Sequence, residues 1–392
     1  MPLVHMDDML RHAHANRYAV GAFDLVSLDF LEGIMDAAEE MRAPVILSLA
    51  ESHFEYYDFE LAMHATVAAA KRASVPVAIH LDHGESIDSV VNGIRLGCNG
   101  VMVDASHHPF EENVRVTREV TELAHAVGVP VEGELGYVPG VEGEDAEKHP
   151  GEIRYTTPEE AKRFVDETGV DFLAVSIGTV HGRMKGQPKL DFDRLAEINA
   201  ALGIPLVIHG GTGLSDEQFR RLVENGVTKI NYYTALSDAA ARTIRENAAQ
   251  EVKGYTALVK GVREAIAAEC KRMIELWGSA GRADEVLGAA RPWREVMHVI
   301  EYNVEGLSED EAAALREEGR RVLSRIPGVR AVETGVAIQP PDAPYRFTWL
   351  VRFCQPQVID YYRDHPDHVK YADERFRPVA GNRVTIDFEL DE

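Results

Sequence analysis

At 392 residues the chain is longer than one average domain, and 45% hydrophobic residues beside 27% charged ones is ordinary for a protein that buries a large core. Sixty-five acidic against 41 basic residues leave a formal net charge of −24, which argues against nucleic acid or an anionic membrane surface as the main partner. Three scattered cysteines, Cys98, Cys270 and Cys354, exclude a disulfide framework and a cysteine-based zinc site.

Apolar strand-like runs recur along the first two thirds of the chain: Ala19–Phe23, Pro44–Ala50, Pro76–Leu81, Gly100–Asp104, Pro130–Leu135, Phe172–Ile177, Pro205–Ile208 and Val227–Tyr232. Helical patterns lie between them, among them Leu28–Met41, Phe59–Ala73, Ile87–Leu96, Glu111–Ala126, Pro158–Thr168 and Ser215–Asn225. Eight such units, with strands apolar on both faces, predict an α/β fold in which a parallel sheet closes as a (β/α)8 barrel. A doubly wound open sheet is the alternative, with no G-x-G-x-x-G after an early strand to favour it. Gly136–Thr157 reads as a long polar loop, the kind that serves as a lid or an insertion. The rhythm stops after Gly278-Ser279-Ala280-Gly281, and Ala289–Trp293 reads as a linker. Beyond it come a strand (Val296–Val304), a helix (Glu309–Arg325), strands Gly328–Ala337 and Arg346–Phe353, a helix (Gln357–Arg363) and a strand (Arg383–Leu390). That β-α-β-β-α-β order predicts a ferredoxin-like α+β domain. The expected division is a barrel over 1–288 and the small domain over 292–392.

In a barrel the polar residues at the carboxyl ends of strands form the site. Three of those ends are histidines followed by glycine: His83-Gly84, His181-Gly182 and His209-Gly210. Neutral imidazoles suit Zn²⁺, and three protein ligands leave a position for a substrate oxygen, with cobalt or manganese as alternatives. Asp82, beside His83, reads as a further ligand, a group orienting one, or a proton carrier; Ser86 is the better helix cap. Glu134 ends the fifth strand close enough to approach a metal. Glu142, in the glycine-rich loop, is either a carboxylate brought in by closure or a solvated charge. Ile208-His209-Gly210-Gly211-Thr212-Gly213 turns from a strand into a helix capped by Ser215 or Asp216, a shape that offers bare N–H groups to phosphate.

Five segments, Val77-Ala-Ile-His-Leu-Asp-His-Gly84, Val131-Glu-Gly-Glu-Leu-Gly136, Asp171-Phe-Leu-Ala-Val-Ser-Ile-Gly-Thr-Val-His-Gly182, Ile208-His-Gly-Gly-Thr-Gly213 and Lys229-Ile-Asn-Tyr-Tyr-Thr234, together resemble the class II, zinc-dependent fructose-bisphosphate/tagatose-bisphosphate aldolases over about residues 1 to 285. The resemblance implies that His83, His181 and His209 hold one catalytic zinc per subunit, with Glu134 at a position that can contact it. Asp82 then matches the acid/base serving the hydroxyl at the cleaved bond, and Glu142 the loop glutamate that moves a proton at carbon. Gly182, Gly211, Thr212, Gly213, Asn231 and Thr234 match the site for the dihydroxyacetone-phosphate half, joined here by Gly210 and Tyr233, where Na⁺ or K⁺ often assists. The implied reaction is reversible cleavage of a ketose phosphate through a zinc-stabilised enediolate. A Schiff-base aldolase would need a barrel lysine; Lys229 is the strand-end candidate, and it does not account for three histidines. A non-catalytic phosphosugar-binding or assembly protein is the other reading, disfavoured by an intact acid/base pair.

Departures bear on the substrate. Asp24 stands where the family has an amide, Ala50 followed by Glu51 where it has serine or threonine, and Tyr233 where it has a small or acidic residue. The family's Asp-Pro-Arg, whose arginine binds the aldehyde-side phosphate, is missing around Val252–Ala257. Added acids and a lost arginine point to a ketose 1-phosphate or otherwise altered acceptor. The tail, through Ile326-Pro-Gly-Val329 and Tyr361-Tyr-Arg-Asp-His-Pro-Asp-His368, resembles the stress-responsive dimeric α-β barrel domain, in which two sheets close one barrel between chains. A homo-oligomer, dimer or tetramer, is therefore expected. His365 and His368 read as capping or interface residues before catalytic ones. Met1–Ala22 is too polar for a signal peptide and no apolar run approaches membrane-spanning length, so a cytoplasmic location is expected, with no nucleic-acid or membrane partner.

Overall fold

The computed structural model describes residues 2–141, 143–148, 151–183, 188–250, 252–338 and 344–391. The chain forms two compact units, one holding Met1–Val90, Cys98–Thr121 and Pro130–Pro292, the other Val91–Gly97, Glu122–Val129 and Trp293–Glu392.

In chain order the first elements are α1 (Met6–Asn16), β1 (Val20–Asp24), α2 (Leu28–Met41), β2 (Val45–Ala50), α3 (Phe59–Arg72), β3 (Val77–Gly84), α4 (Ile87–Leu96), β4 (Gly100–Val103), α5 (Phe110–Ala126) and β5 (Val131–Leu135). Then come α6 (Pro158–Thr168), β6 (Phe172–Val175), α7 (Phe192–Leu202), β7 (Leu206–Ile208), α8 (Asp216–Glu224), β8 (Val227–Tyr232), α9 (Thr234–Ala249), α10 (Tyr255–Leu258), α11 (Val262–Leu276) and α12 (Ala283–Ala289). Strands β1 to β8 pair in parallel and close on themselves, β8 returning to β1 through Val20↔Lys229 to Phe23↔Tyr232. Closure leaves no room for the open doubly wound sheet. The strands are buried almost throughout because the barrel fills one face and the helices cover the other.

Two kinds of interior meet inside the barrel. At the amino-terminal end of the strands, Val20, Ala22, Ile46, Ala78, Phe172, Ala174 and Val207 form one apolar cluster with Met6, Met9, Leu10 and Ala13 of α1. Alanines at three inner positions leave space that α1 fills from below, a helix the strand–helix rhythm alone does not announce. At the opposite end the buried side chains are Asp24, Ser48, His80, Asp82, Glu132, Glu134, His209, Lys229 and Asn231.

The loop from Gly136 to Thr157 is anchored to its surroundings. Tyr137 bridges to Arg154, and Asp145 to Arg183 beyond β6. Thr234 Oγ1 accepts from Gly143 N at 3.0 Å, while Arg183 donates to the Gly143 carbonyl at 2.7 Å and grips Asp238 through Nε at 2.9 Å.

The second unit carries β9 (Val296–Val304), α13 (Glu309–Leu323), β10 (Val329–Val336), β11 (Phe347–Phe353), α14 (Val358–Asp364), α15 (Pro366–Tyr371) and β12 (Ala380–Glu389). Its antiparallel sheet runs β10-β11-β9-β12, the ferredoxin-like arrangement predicted above. Val296, Tyr302, Phe347, Trp349, Val351 and Phe353 share one buried face. By the alternation of the strands Met297, Val299, Leu350, Ile386 and Phe388 share the other. The second helix is broken: α14 stops before Pro366, and His365 Nδ1 accepts from Asp367 N to cap α15. His368 Nδ1 lies 2.9 Å from the Arg363 carbonyl, so both histidines serve local structure.

Candidate metal centre and active site

The three histidines meet over the mouth of the barrel, although only His83 and His209 stand at strand ends; β6 stops at Val175 and His181 comes from the segment beyond it. Ring centroids lie 4.6 Å apart for His83 and His209, 5.2 Å for His83 and His181, and 5.7 Å for His181 and His209, with the rings steeply inclined to one another. One nitrogen from each falls within 4.8 Å of the others.

Each ring is turned inward by a partner on its outer nitrogen. His83 Nδ1 bonds Asp104 Oδ2 at 2.8 Å, His181 Nδ1 the Val138 carbonyl at 3.1 Å, and His209 Nε2 bonds Glu132 Oε1 at 3.0 Å. What remains facing the centre is Nε2 of His83, Nε2 of His181 and Nδ1 of His209. Two of these, on His83 and His209, stand 2.8 Å apart, and His181 Nε2 is buried without a hydrogen-bond partner. Buried polar atoms are rarely left so, and three converging imidazole nitrogens call for a shared electrophile. Outward carboxylate and carbonyl partners are the usual support of metal-bound histidines.

Backbone shape helps to aim them. His83 has φ +46°, the left-handed region that a residue with a Cβ enters only under constraint, and the β3–β4 register slips just there, between Leu81 and Gly84. Gly210, at φ +73°, cannot carry a side chain, because a Cβ would lie 2.2 Å from the Val180 carbonyl oxygen. A Cβ on Gly182 would lie 2.3 Å from the Glu144 carbonyl oxygen, so the segment beyond β6 and the long loop touch backbone to backbone.

Electrostatics favour a cation. Burial, then the neighbouring His83 and His209, lowers the His181 imidazole to about 3, and burial likewise lowers His209. Burial pushes Glu134 up to about 8, helped by Asp104. For His83 burial is outweighed by Asp82, Asp104 and Glu134, which hold it well above the usual histidine range. Two neutral imidazoles, a third surrounded by carboxylates and a carboxyl group that resists ionisation form a donor set that fits a borderline dication such as Zn²⁺.

Asp82 is fully buried beside this centre, its Oδ2 3.9 Å from His83 Nε2 and its Oδ1 accepting from Asn231 Nδ2 at 2.9 Å. Burial would raise its pKa, but His83 foremost, with His209 and Lys229, outweighs that and holds it below the ordinary carboxylate range. Glu134 Oε2 lies 3.8 Å from His209 Nδ1. Ser86, and not Asp82, caps the next helix, accepting from Ser89 N at 3.1 Å.

The remaining predicted residues fall in two places. Gly210–Gly213 run from β7 to α8, whose Ser215 forms a reciprocal cap with Gln218. Asn231, which the resemblance assigns to substrate, points down into the barrel towards Lys229 and Asp82, and the Thr234 hydroxyl meets Gly143. Asp24 ends β1 opposite Ser48, and the Tyr233 ring lies tilted against that of His53, centroids 4.3 Å apart. Glu142 lies outside the described residues. Sequence reasoning assigned no role to Asp104 or Glu132; their only signal was being acids at or near strand ends. A cavity of about 600 Å³ opens beside the histidines, lined among the described residues by His83, His181, Glu134, Asp104, Ser52, Glu85, Ser106, His107, His108, Tyr137 and apolar residues, with no lysine or arginine among these.

A closed parallel barrel with a three-histidine centre and a buried carboxylate at its carboxyl-terminal mouth has the make-up of a metal-dependent (β/α)8 enzyme. Residues 4–282 match the family model described as fructose-bisphosphate aldolase class-II, and the chain belongs to that family. Residues 298–390 match the stress responsive A/B barrel domain. The chain is 45% identical over 237 residues, 60% of its length and 82% of the relative's, to a probable fructose-bisphosphate aldolase of Bacillus subtilis. It is 45% identical over 238 residues, again 60% and 82%, to the fructose-bisphosphate aldolase of Geobacillus stearothermophilus. Among solved structures, the YdjI aldolase of Escherichia coli K12 superposes with a TM-score of 0.64 at 36% identity, covering 72% of this chain and 99% of that one. A putative fructose-1,6-biphosphate aldolase from Coccidioides immitis gives 0.66 at 32%, covering 72% and 98%.

Proposed function

We propose that this protein is a zinc-dependent aldolase that reversibly cleaves a ketose phosphate into dihydroxyacetone phosphate and an aldehyde carrying no second phosphate. The observation that carries the reading is the convergence of three outward-anchored imidazoles beside one buried, ionised carboxylate. His83, His181 and His209 would hold the ion, with Glu134 in reach; when bound, zinc supplies a Lewis acid that polarises the substrate ketone. Asp82 Oδ2 takes the proton from the hydroxyl at the bond that breaks and returns it in synthesis. Glu142, which precedes Gly143 in the sequence, is proposed to carry the proton at the carbanion carbon. Gly182, Gly210, Gly211, Thr212, Gly213 and Thr234 would receive the phosphate, at the seventh- and eighth-strand loops where barrels commonly bind one. A monovalent cation, Na⁺ or K⁺, is proposed there too, and Asp24 and Tyr233 would border the substrate.

The acceptor follows from charge. Among the described residues the cavity beside the histidines offers carboxylates, hydroxyls and imidazoles but no lysine or arginine, which suits a neutral polyhydroxy chain better than a phosphate. The tail, proposed as a separate domain over 292–392, would join subunits: its second sheet face exposes Ile386 at 47% and Phe388 at 48% beside Met297, Val299 and Leu350, an apolar strip that fits another copy of itself. A cytoplasmic location is consistent with three free, buried cysteines, and no helix among the described residues is long and apolar enough to cross a membrane.

The test is cleavage of a panel of ketose 1-phosphates and 1,6-bisphosphates, trapping dihydroxyacetone phosphate, with and without EDTA. Activity should vanish with the chelator and return with Zn²⁺. Equal cleavage of the bisphosphate and the best monophosphate would overturn the acceptor assignment, and chelator-resistant activity killed by borohydride would overturn the metal mechanism.

A further inference from the structure

Among the described residues Lys229 is the one lysine or arginine in the polar half of the barrel interior, and it is completely buried. Its ammonium makes two short contacts: 2.8 Å to Glu132 Oε2 and 2.7 Å to Asn231 Oδ1. Each partner then passes the contact on. Glu132 uses its other oxygen to hold His209 Nε2 at 3.0 Å, and Asn231 uses its amide nitrogen to donate to Asp82 Oδ1 at 2.9 Å.

We infer that Lys229 is a positioning residue that fixes, from beneath, both the metal-facing nitrogen of His209 and the carboxylate of Asp82. The argument is one of donors and acceptors. An ammonium only donates, so Asn231 must turn its carbonyl to Lys229 and therefore its NH₂ to Asp82. A flipped amide would set two acceptors against each other at Asp82 and two donors at Lys229. The same ammonium binds one oxygen of Glu132 and leaves the other to accept the His209 Nε2 proton, so that Nδ1 is the lone pair facing the centre. One cation thus sets two orientations, at residues 20 and 147 positions away from it in the chain. Lys229 itself faces those two partners and is not offered to substrate, which assigns it a role other than Schiff-base formation.

This inference rests on the aldolase reading for its catalytic half, and on the metal site alone for the other half. The experiment is a pair of double-mutant cycles, Lys229→Met against Glu132→Gln and against Asn231→Ala, with thermal midpoints measured throughout. Where Lys229→Met does not fold, the electroneutral Lys229→Met/Glu132→Gln chain serves as the background. Zinc affinity is read by chelator competition and the His209 tautomer by ¹⁵N NMR of the zinc-loaded protein, neither needing substrate. Lys229→Met should lower zinc affinity by about 10–100-fold and kcat by a similar factor, with KM moved far less. The affinity loss should nearly disappear in the Glu132→Gln background and the residual kcat loss in the Asn231→Ala background, since each arm is then already cut. Additive losses in both cycles, an unchanged His209 tautomer, or wild-type affinity and kcat in Lys229→Met would overturn the assignment. An inactive wild-type protein that nonetheless shows the zinc coupling would sink the aldolase reading and leave the metal-positioning role standing.

Discussion

The two ends of the barrel interior are built from opposite materials. Below, alanines, valines and Phe172 close on α1 in an apolar cluster; above, Asp24, Ser48, His80, Asp82, Glu132, Glu134, His209, Lys229 and Asn231 are buried. Burying charge is expensive, and the carboxyl-terminal end carries it in ion pairs, orphaned nitrogens and a histidine in left-handed conformation. The contrast teaches that stability resides in the lower half and chemistry in the upper one, so substitutions should divide cleanly between the two.

The sharpest way to break that division is Asp82→Asn. It keeps the shape and should cut kcat by about 10²–10⁴-fold, while the thermal midpoint falls modestly, because the ionised carboxylate is held below its ordinary range by the cations around it and that stabilisation is lost. A large fall in the midpoint together with unchanged kcat would reverse the comparison. Below, Phe172→Ala should cost about 3–5 kcal/mol of unfolding free energy with KM intact in the folded fraction, measured by denaturant titration. Asp104→Asn leaves His83 without its anionic partner, and zinc affinity by chelator competition should drop about 10–100-fold.

The smallest effect concerns pH. Burial lowers His80 to about 3, with Lys229 adding to it. The unfolded chain therefore takes up a proton near the ordinary histidine pKa that the folded barrel refuses. Stability should be unaffected above that point and fall as pH drops from about 6.5 towards 3, by at most about 1.4 kcal/mol per pH unit for this residue. His80→Gln should flatten the slope of unfolding free energy against pH over that window. An unchanged slope would place the acid sensitivity elsewhere.

Much of this division was legible before any coordinates. Leu28–Met41, Ile87–Leu96 and Val227–Tyr232 fall where the sequence pattern placed them, because strands buried on both faces and amphipathic helices carry strong periodic signals. His83, His181 and His209 stood out because each lies beside glycine at or just past an apolar run. The helices α1, α7, α9, α11 and α12 were not named, α1 because it precedes the first strand–helix unit. The supports of the site could not be read at all. Glu132 reaches His209 across 77 positions and Asn231 reaches Asp82 across 149, pairings that depend on strand register inside the barrel. Val138 holds His181 through its carbonyl oxygen, which no side-chain pattern reveals.

His83 turns the corner of its strand at φ +46°, and that angle filters what evolution can try there. Left-handed backbone costs a residue with a Cβ roughly 1–2 kcal/mol, least for asparagine and aspartate and most for β-branched side chains. Of the residues able to bind a metal, histidine and aspartate combine a ligand atom with relative ease in that conformation. Replacements at this corner are thus limited by the backbone as well as by chemistry, whereas the loops around it, where the backbone asks for less, can vary more freely.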